Sequence, residues 1–157
     1  MEEKFRLDFS FDPEMFRYAK TIKDFDLPKE KIGVYLIAQK SHFQSPNFVH
    51  PSHAGWFRGE DPTLTIEYLK NKWVENASIL YIGRSCGSLR KRINNHIDFW
   101  NGKPCAAWGG RTIAQIEDYE NLEIWYMECD NPKEKEKELI NAFCEKHGAL
   151  PFANLKH

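Results

Sequence analysis

The chain has 157 residues, 41% hydrophobic and 14% aromatic, which is one domain's worth of sequence with enough apolar surface for a single core. Lys and Arg number 22 against 23 Asp and Glu, a formal net charge of -1, and no stretch approaches eighteen consecutive apolar residues. These values exclude a disordered chain and a helical membrane span. The opening MEEKFRLDFSFDPE lacks the order of a secretory signal, so the expected setting is cytoplasmic.

In chain order, residues 1–30 are polar with interspersed Phe and Leu, and predict an appendage carrying one helix near Pro13 to Lys23. The run KIGVYLIA at 31–38 predicts a buried strand. Residues 40–60 hold two prolines, two glycines and many polar groups, and read as an irregular loop. Asp61-Pro62 offers a cap followed by Pro at the first helical position, so a helix is expected from there to about Glu75. SILYIGR at 78–84 predicts a second strand. In the helix that follows, Leu89, Ile93, Ile97 and Trp100 form one apolar stripe. Residues 105–117 begin as a loop and continue as a short helix, LEIWYMEC at 122–129 is a third strand, and Asn131-Pro132 opens a helix that Gly148 stops. The expected fold is α/β in the layered α+β sense: a small, three-stranded, mainly antiparallel sheet flanked by helices, within a domain over 31–157 that carries an insertion at about 40–77.

Cys86, Cys105, Cys129 and Cys144 include no CxxC pair, which favours reduced thiols. His50 and His53 form an HxxH, but no closely spaced thiol pair completes a zinc site, so ordinary loop histidines are expected there.

Near-neutrality alone argues against a nucleic-acid partner. It is an average, however. Residues 79–112 carry Arg84, Arg90, Lys91, Arg92, Lys103 and Arg111 against Asp98 alone, while residues 113–138 are strongly acidic. The basic stretch could gather several phosphates, with backbone N–H groups of the turn GRSCGS adding to an anion site.

Two strands each deliver a tyrosine next to a glycine, Gly33-Val34-Tyr35 and Tyr81-Ile82-Gly83. They are followed in order by LRKRINNH, which holds Arg92 and, one turn later, His96, then by ELINAFCEKHG, and finally by PFAN. In these five pieces, from Gly33 to Asn154, the sequence resembles the GIY-YIG nuclease superfamily. The resemblance implies a divalent-metal-dependent endonuclease that hydrolyses DNA phosphodiester bonds, with Tyr35, Tyr81, Arg92, His96, Glu138 and Asn154 as its site.

The residue chemistry suits those roles. A guanidinium such as that of Arg92 stays charged and can hold two phosphate oxygens. Glu138 is a hard oxygen ligand for one Mg²⁺ or Mn²⁺ that keeps most of its waters, with Glu134 one turn earlier as its competitor. Tyrosine titrates near pH 10, so Tyr35 serves as general base only if positive charge lowers that value or the proton is relayed. The resemblance implies Tyr35 as the base and Tyr81 positioning water or phosphate, with His96 as the alternative base. Asn154 is implied to fix the geometry through hydrogen bonds. Arg84, Arg90, Lys91, Lys103 and Arg111 are the candidate nucleic-acid contacts.

Two features depart from the family pattern: Val34 stands where the family has Ile, and 46 residues separate Tyr35 from Tyr81 where the family has a short hairpin. The inserted loop, with His50, His53, Trp56 and Arg58, either reaches over the substrate or is a packing addition. A non-catalytic or partner-dependent nucleic-acid-binding module of the same fold is the rival reading. RNA or branched DNA as substrate, and a homodimer or a partner protein, remain open.

Overall fold

A computed structural model describes residues 5, 8, 9, 16–27, 30–40, 45–56, 58–104 and 109–155. Its centre is a four-stranded antiparallel sheet in the order β1-β4-β2-β3, built from β1 (Arg17–Thr21), β2 (Gly33–Ala38), β3 (Ile79–Ser85) and β4 (Glu123–Glu128). Three helices complete it: α1 (Ile66–Lys72), α2 (Leu89–Trp100) and α3 (Pro132–His147). Among the described residues, no helix is long and apolar enough to cross a membrane.

β2 is apolar on both faces because both are covered and both of its edges are paired; all six of its residues are buried. On one face, Val34, Leu36, Ile82, Trp125 and Met127 join α3 (Leu139, Ile140, Phe143) and the N-terminal Phe5, Phe9 and Phe16 in one core. On the other, Tyr35, Ile37, Tyr81 and Ile124 join α2 (Leu89, Ile93, Phe99, Trp100) and a 3₁₀ turn at Arg111–Gln115 in a second core.

The fourth strand corrects the expectation of three strands and an N-terminal helix. Phe16, Ala19 and Ile22 are buried at a spacing of three, which imitates helical periodicity. The spacing arises instead from a bulge: the pairing with β4 shifts between Tyr18 and Thr21, and Lys20 adopts a positive φ of 68°. The helix expected from Asp61 is also shorter. Thr65, not Asp61, caps α1 by accepting from the Tyr68 N–H at 3.1 Å, while Asp61 accepts from the Thr63 N–H at 2.9 Å.

The insertion between β2 and β3 is stitched onto the 3₁₀ turn, mainly through Gln115. This fully buried carboxamide accepts from the Leu64 N–H at 2.9 Å and donates to the carbonyls of Val49 and Leu64 at 3.0 and 2.9 Å. Phe48 stacks on Phe152, further anchoring the loop. Gln115→Leu strands three backbone groups in the interior, with an expected cost of about 3 kcal/mol. A thermal melt should therefore fall by roughly 6–12 °C; a shift below about 2 °C would show that the insertion is not held this way.

Candidate active site

Register places the two tyrosines together. Tyr35 pairs with Gly83 and Ile37 with Tyr81, so both phenol rings rise from the same sheet face, 5.9 Å apart between centroids. Gly83 makes room: a Cβ there would lie 2.5 Å from the Tyr35 ring, which is fully buried and cannot yield. α2 crosses above them, started by the Ser88 hydroxyl accepting from the Lys91 N–H at 3.1 Å, and its inward stripe brings in His96.

The Tyr35 hydroxyl and His96 Nδ1 are 2.9 Å apart in a buried hydrogen bond. The His96 ring also lies 5.7 Å from the Tyr81 ring and 5.4 Å from that of Trp100. The backbone of Gly109 roofs this cluster, since a Cβ there would stand 3.2 Å from the Tyr81 hydroxyl and 3.9 Å from His96 Nε2. Trp108 lies outside the described residues.

Burial pushes the Tyr35 phenol well above its ordinary value, aided by Tyr81; the charge of Arg92 works in the opposite direction and does not win. Tyr81 is raised by burial as well, with Arg92 again opposing. Among the protein's own groups burial outweighs Arg92 at Tyr35, which favours the second of the two expected routes, a relayed proton, over a lowered phenol. Burial first and Arg92 second lower His96 to about 3. Its imidazole is neutral at physiological pH, and in the Nε2–H tautomer Nδ1 accepts the Tyr35 proton.

This shift has a consequence for stability. His96 has its folded value depressed below the unfolded value near 6.5, so its contribution is complete above about pH 6.5 and is lost as the pH falls toward about 3. Between pH 7.5 and pH 5 the chain should lose roughly 2 kcal/mol on this account. Urea unfolding of the wild type and His96→Gln at both pH values checks it. The variant should show a flatter dependence, and identical slopes would contradict the assignment.

Arg92 is exposed at the mouth of the cluster, at the start of α2, where its charge reaches Tyr35, Tyr81 and His96. On the other flank of edge strand β3, Arg84 forms a 2.5 Å ion pair with Glu136 of α3, and Glu136 is also felt at Tyr81. Glu136 is thus the α3 carboxylate tied to β3, the strand that bears Tyr81. The expected Glu138 points elsewhere: its side chain is 59% exposed, pairs with Lys135 at 3.4 Å, and shares a surface cleft with Glu128, Cys129 and Glu134.

The reason is helical geometry. Glu136 precedes the buried Leu139, Ile140 and Phe143 by three, four and seven residues, so it shares their face, whereas Glu138 is rotated about 100° from its neighbour Leu139. The signal was present in the sequence as the one acid in register with the apolar stripe.

Asn154 acts on backbone. Its side chain accepts from the Ile82 N–H and donates to the Ile82 carbonyl, both at 3.0 Å, while the Ala153 N–H donates to the Leu80 carbonyl at 2.7 Å. The tail thereby bonds to the β3 backbone at Leu80 and Ile82, on either side of Tyr81.

The expected nucleic-acid contacts are dispersed. Arg84 is engaged by Glu136, Arg90 by Glu30 and the Leu27 carbonyl, and the exposed Lys103 by Asp98 at 3.6 Å. Lys91 is exposed beside Arg92, and Arg111 is half-buried at the start of the 3₁₀ turn, where burial lowers its pKa. In the insertion, His53 packs on Tyr119 with ring centroids 5.8 Å apart, and Trp56 is exposed.

Among the described residues, no group of three or more His, Cys, Asp or Glu is arranged to hold a metal ion. A single carboxylate, Glu136, with 17% of its side chain exposed, suits a hard ion that keeps most of its waters rather than zinc. Comparison with family models, curated proteins and solved structures finds no match to this chain.

Proposed function

We propose that the chain is a divalent-metal-dependent endonuclease of the GIY-YIG type that hydrolyses DNA phosphodiester bonds. The observation that carries this reading is the buried Tyr35–His96 hydrogen bond, 2.9 Å long, flanked by Tyr81 and within reach of the charge of Arg92.

Phosphodiester hydrolysis needs a proton acceptor for the attacking water and a stabiliser for charge on the phosphate. Tyr35 meets the first need as a relay: its oxygen takes the proton of water while its own proton moves to His96 Nδ1. The resulting imidazolium is disfavoured by burial and by Arg92, and the dianionic charge that develops on the phosphate offsets both. Arg92, able to bind two phosphate oxygens at once, holds the scissile group. Glu136 would hold one Mg²⁺ or Mn²⁺, which when bound supplies Lewis-acid stabilisation of phosphate oxygens. Tyr81, held by the Asn154 clamp on Ile82, positions water or phosphate.

The test is incubation of the purified chain with supercoiled plasmid, linear duplex, branched DNA and RNA, with and without Mg²⁺. Metal-dependent cutting of DNA is expected. Salt-dependent binding to DNA without cleavage in Mg²⁺ or Mn²⁺ would overturn the enzyme and favour a binding module of the same fold, and cutting of RNA alone would reassign the substrate.

A further inference from the structure

The insertion between β2 and β3 grips the C-terminal tail by an aromatic contact and by a charged hydrogen bond. Phe48 stacks on Phe152 with ring centroids 5.6 Å apart, and Trp73, directly after α1, meets the same ring edge-on at 5.3 Å. Lys72, the last residue of α1, donates through Nζ to the Asn154 carbonyl at 3.1 Å. Burial lowers the pKa of this half-buried ammonium from the ordinary lysine value, so the fold bears a desolvation cost to keep the donor at that carbonyl.

The gripped tail is the segment that meets β3, the strand at one edge of the sheet. The Asn154 side chain takes both backbone polar groups of Ile82, each at 3.0 Å, and the Ala153 N–H donates to the Leu80 carbonyl at 2.7 Å. Tyr81 lies between the two bonded residues, its ring 5.9 Å from that of Tyr35. Only Asn154 therefore stands between Lys72 and the backbone that carries Tyr81.

We propose that Lys72 is a positioning residue of the active site, setting the β3 backbone around Tyr81 by fixing Asn154. The inference rests on the nuclease reading and gives the insertion its part in it: α1 acts on the tyrosine cluster through the tail. The Asn154 carboxamide can bond both groups of Ile82 only while its own main chain keeps its place, and the bond from Nζ to the Asn154 carbonyl fixes that main chain. Rates of chemical steps respond to displacements of about 1 Å, so a loosened Asn154 slows cleavage more than it weakens DNA binding. A lysine that only tied down the tail would instead change the stability of the sheet as a whole.

The experiment compares the wild type with Lys72→Met, which keeps the apolar stem without the donor, and Lys72→Arg, which keeps charge and donor. Native-state amide hydrogen exchange is followed at Ile82 and, as the reference for the sheet, at Leu36 and Ile37. Single-turnover plasmid nicking is followed with saturating protein. In Lys72→Met the Ile82 amide should exchange about tenfold faster, with Leu36 and Ile37 within about twofold of the wild type. The nicking rate should fall about tenfold and DNA affinity stay within about twofold. Lys72→Arg should restore both. Unchanged exchange at Ile82, equal acceleration at all three amides, or a faster Ile82 with nicking at the wild-type rate would overturn the proposal. No nicking by the wild type rejects the nuclease reading instead, and the Ile82 amide alone then decides whether Lys72 fixes the β3 edge.

Discussion

Tyr35→Phe should lower the rate of DNA cleavage by about 10²–10⁴-fold, the usual contribution of a positioned proton-transfer group, and leave DNA affinity within about twofold. The substitution deletes one oxygen. The ring stays in its place against Gly83, so the fold keeps its core, and the remaining cost is about 1 kcal/mol for the lost hydrogen bond to His96 Nδ1. If the proton travels from water through Tyr35 to His96, the two residues act as one unit. His96→Gln should then lose a similar factor, and the double variant should be little worse than either single one. Single-turnover cleavage with saturating protein separates this from a binding defect. A Tyr35→Phe variant that cuts at the wild-type rate would remove the relay from the mechanism.

Much of the sheet was legible in the sequence because its strongest signals are local. GVYLIA is buried on both faces, and ILYIG likewise feeds both cores, so both read as strands without tertiary information. β1 was not legible as a strand, because its bulge at Lys20 places Phe16, Ala19 and Ile22 at helical spacing. Within the site, the tyrosine pair and the one-turn spacing of Arg92 and His96 were readable, since strand alternation and helix period fix them. Two features depended on tertiary placement. The balance between burial and Arg92 at Tyr35 is decided by how deeply α2 and Gly109 cover the ring, which spacing does not reveal. The work of Gln115 joins segments 51 and 66 residues distant, so nothing local marks it.

Glu136 and Glu138 illustrate the same division on α3. In PKEKEKE a glutamate recurs every second position, and successive glutamates point about 200° apart around the helix, so adjacency to the buried Leu139 selects the one that points into solvent. Alignment with the stripe Leu139, Ile140 and Phe143 selects Glu136, and its ion pair with Arg84 ties it to the strand that bears Tyr81. Glu138, paired with Lys135 in solvent, is a surface group. Glu136→Gln preserves size and removes the charge. In doing so it removes the carboxylate that pairs with Arg84. The measurement is the rate of plasmid nicking by wild-type, Glu136→Gln and Glu138→Gln protein, side by side at one Mg²⁺ concentration. Loss of about 10²–10³-fold or more is predicted for Glu136→Gln, with a change below about threefold for Glu138→Gln; full activity in Glu136→Gln, or the reverse order of the two variants, would contradict the site described here.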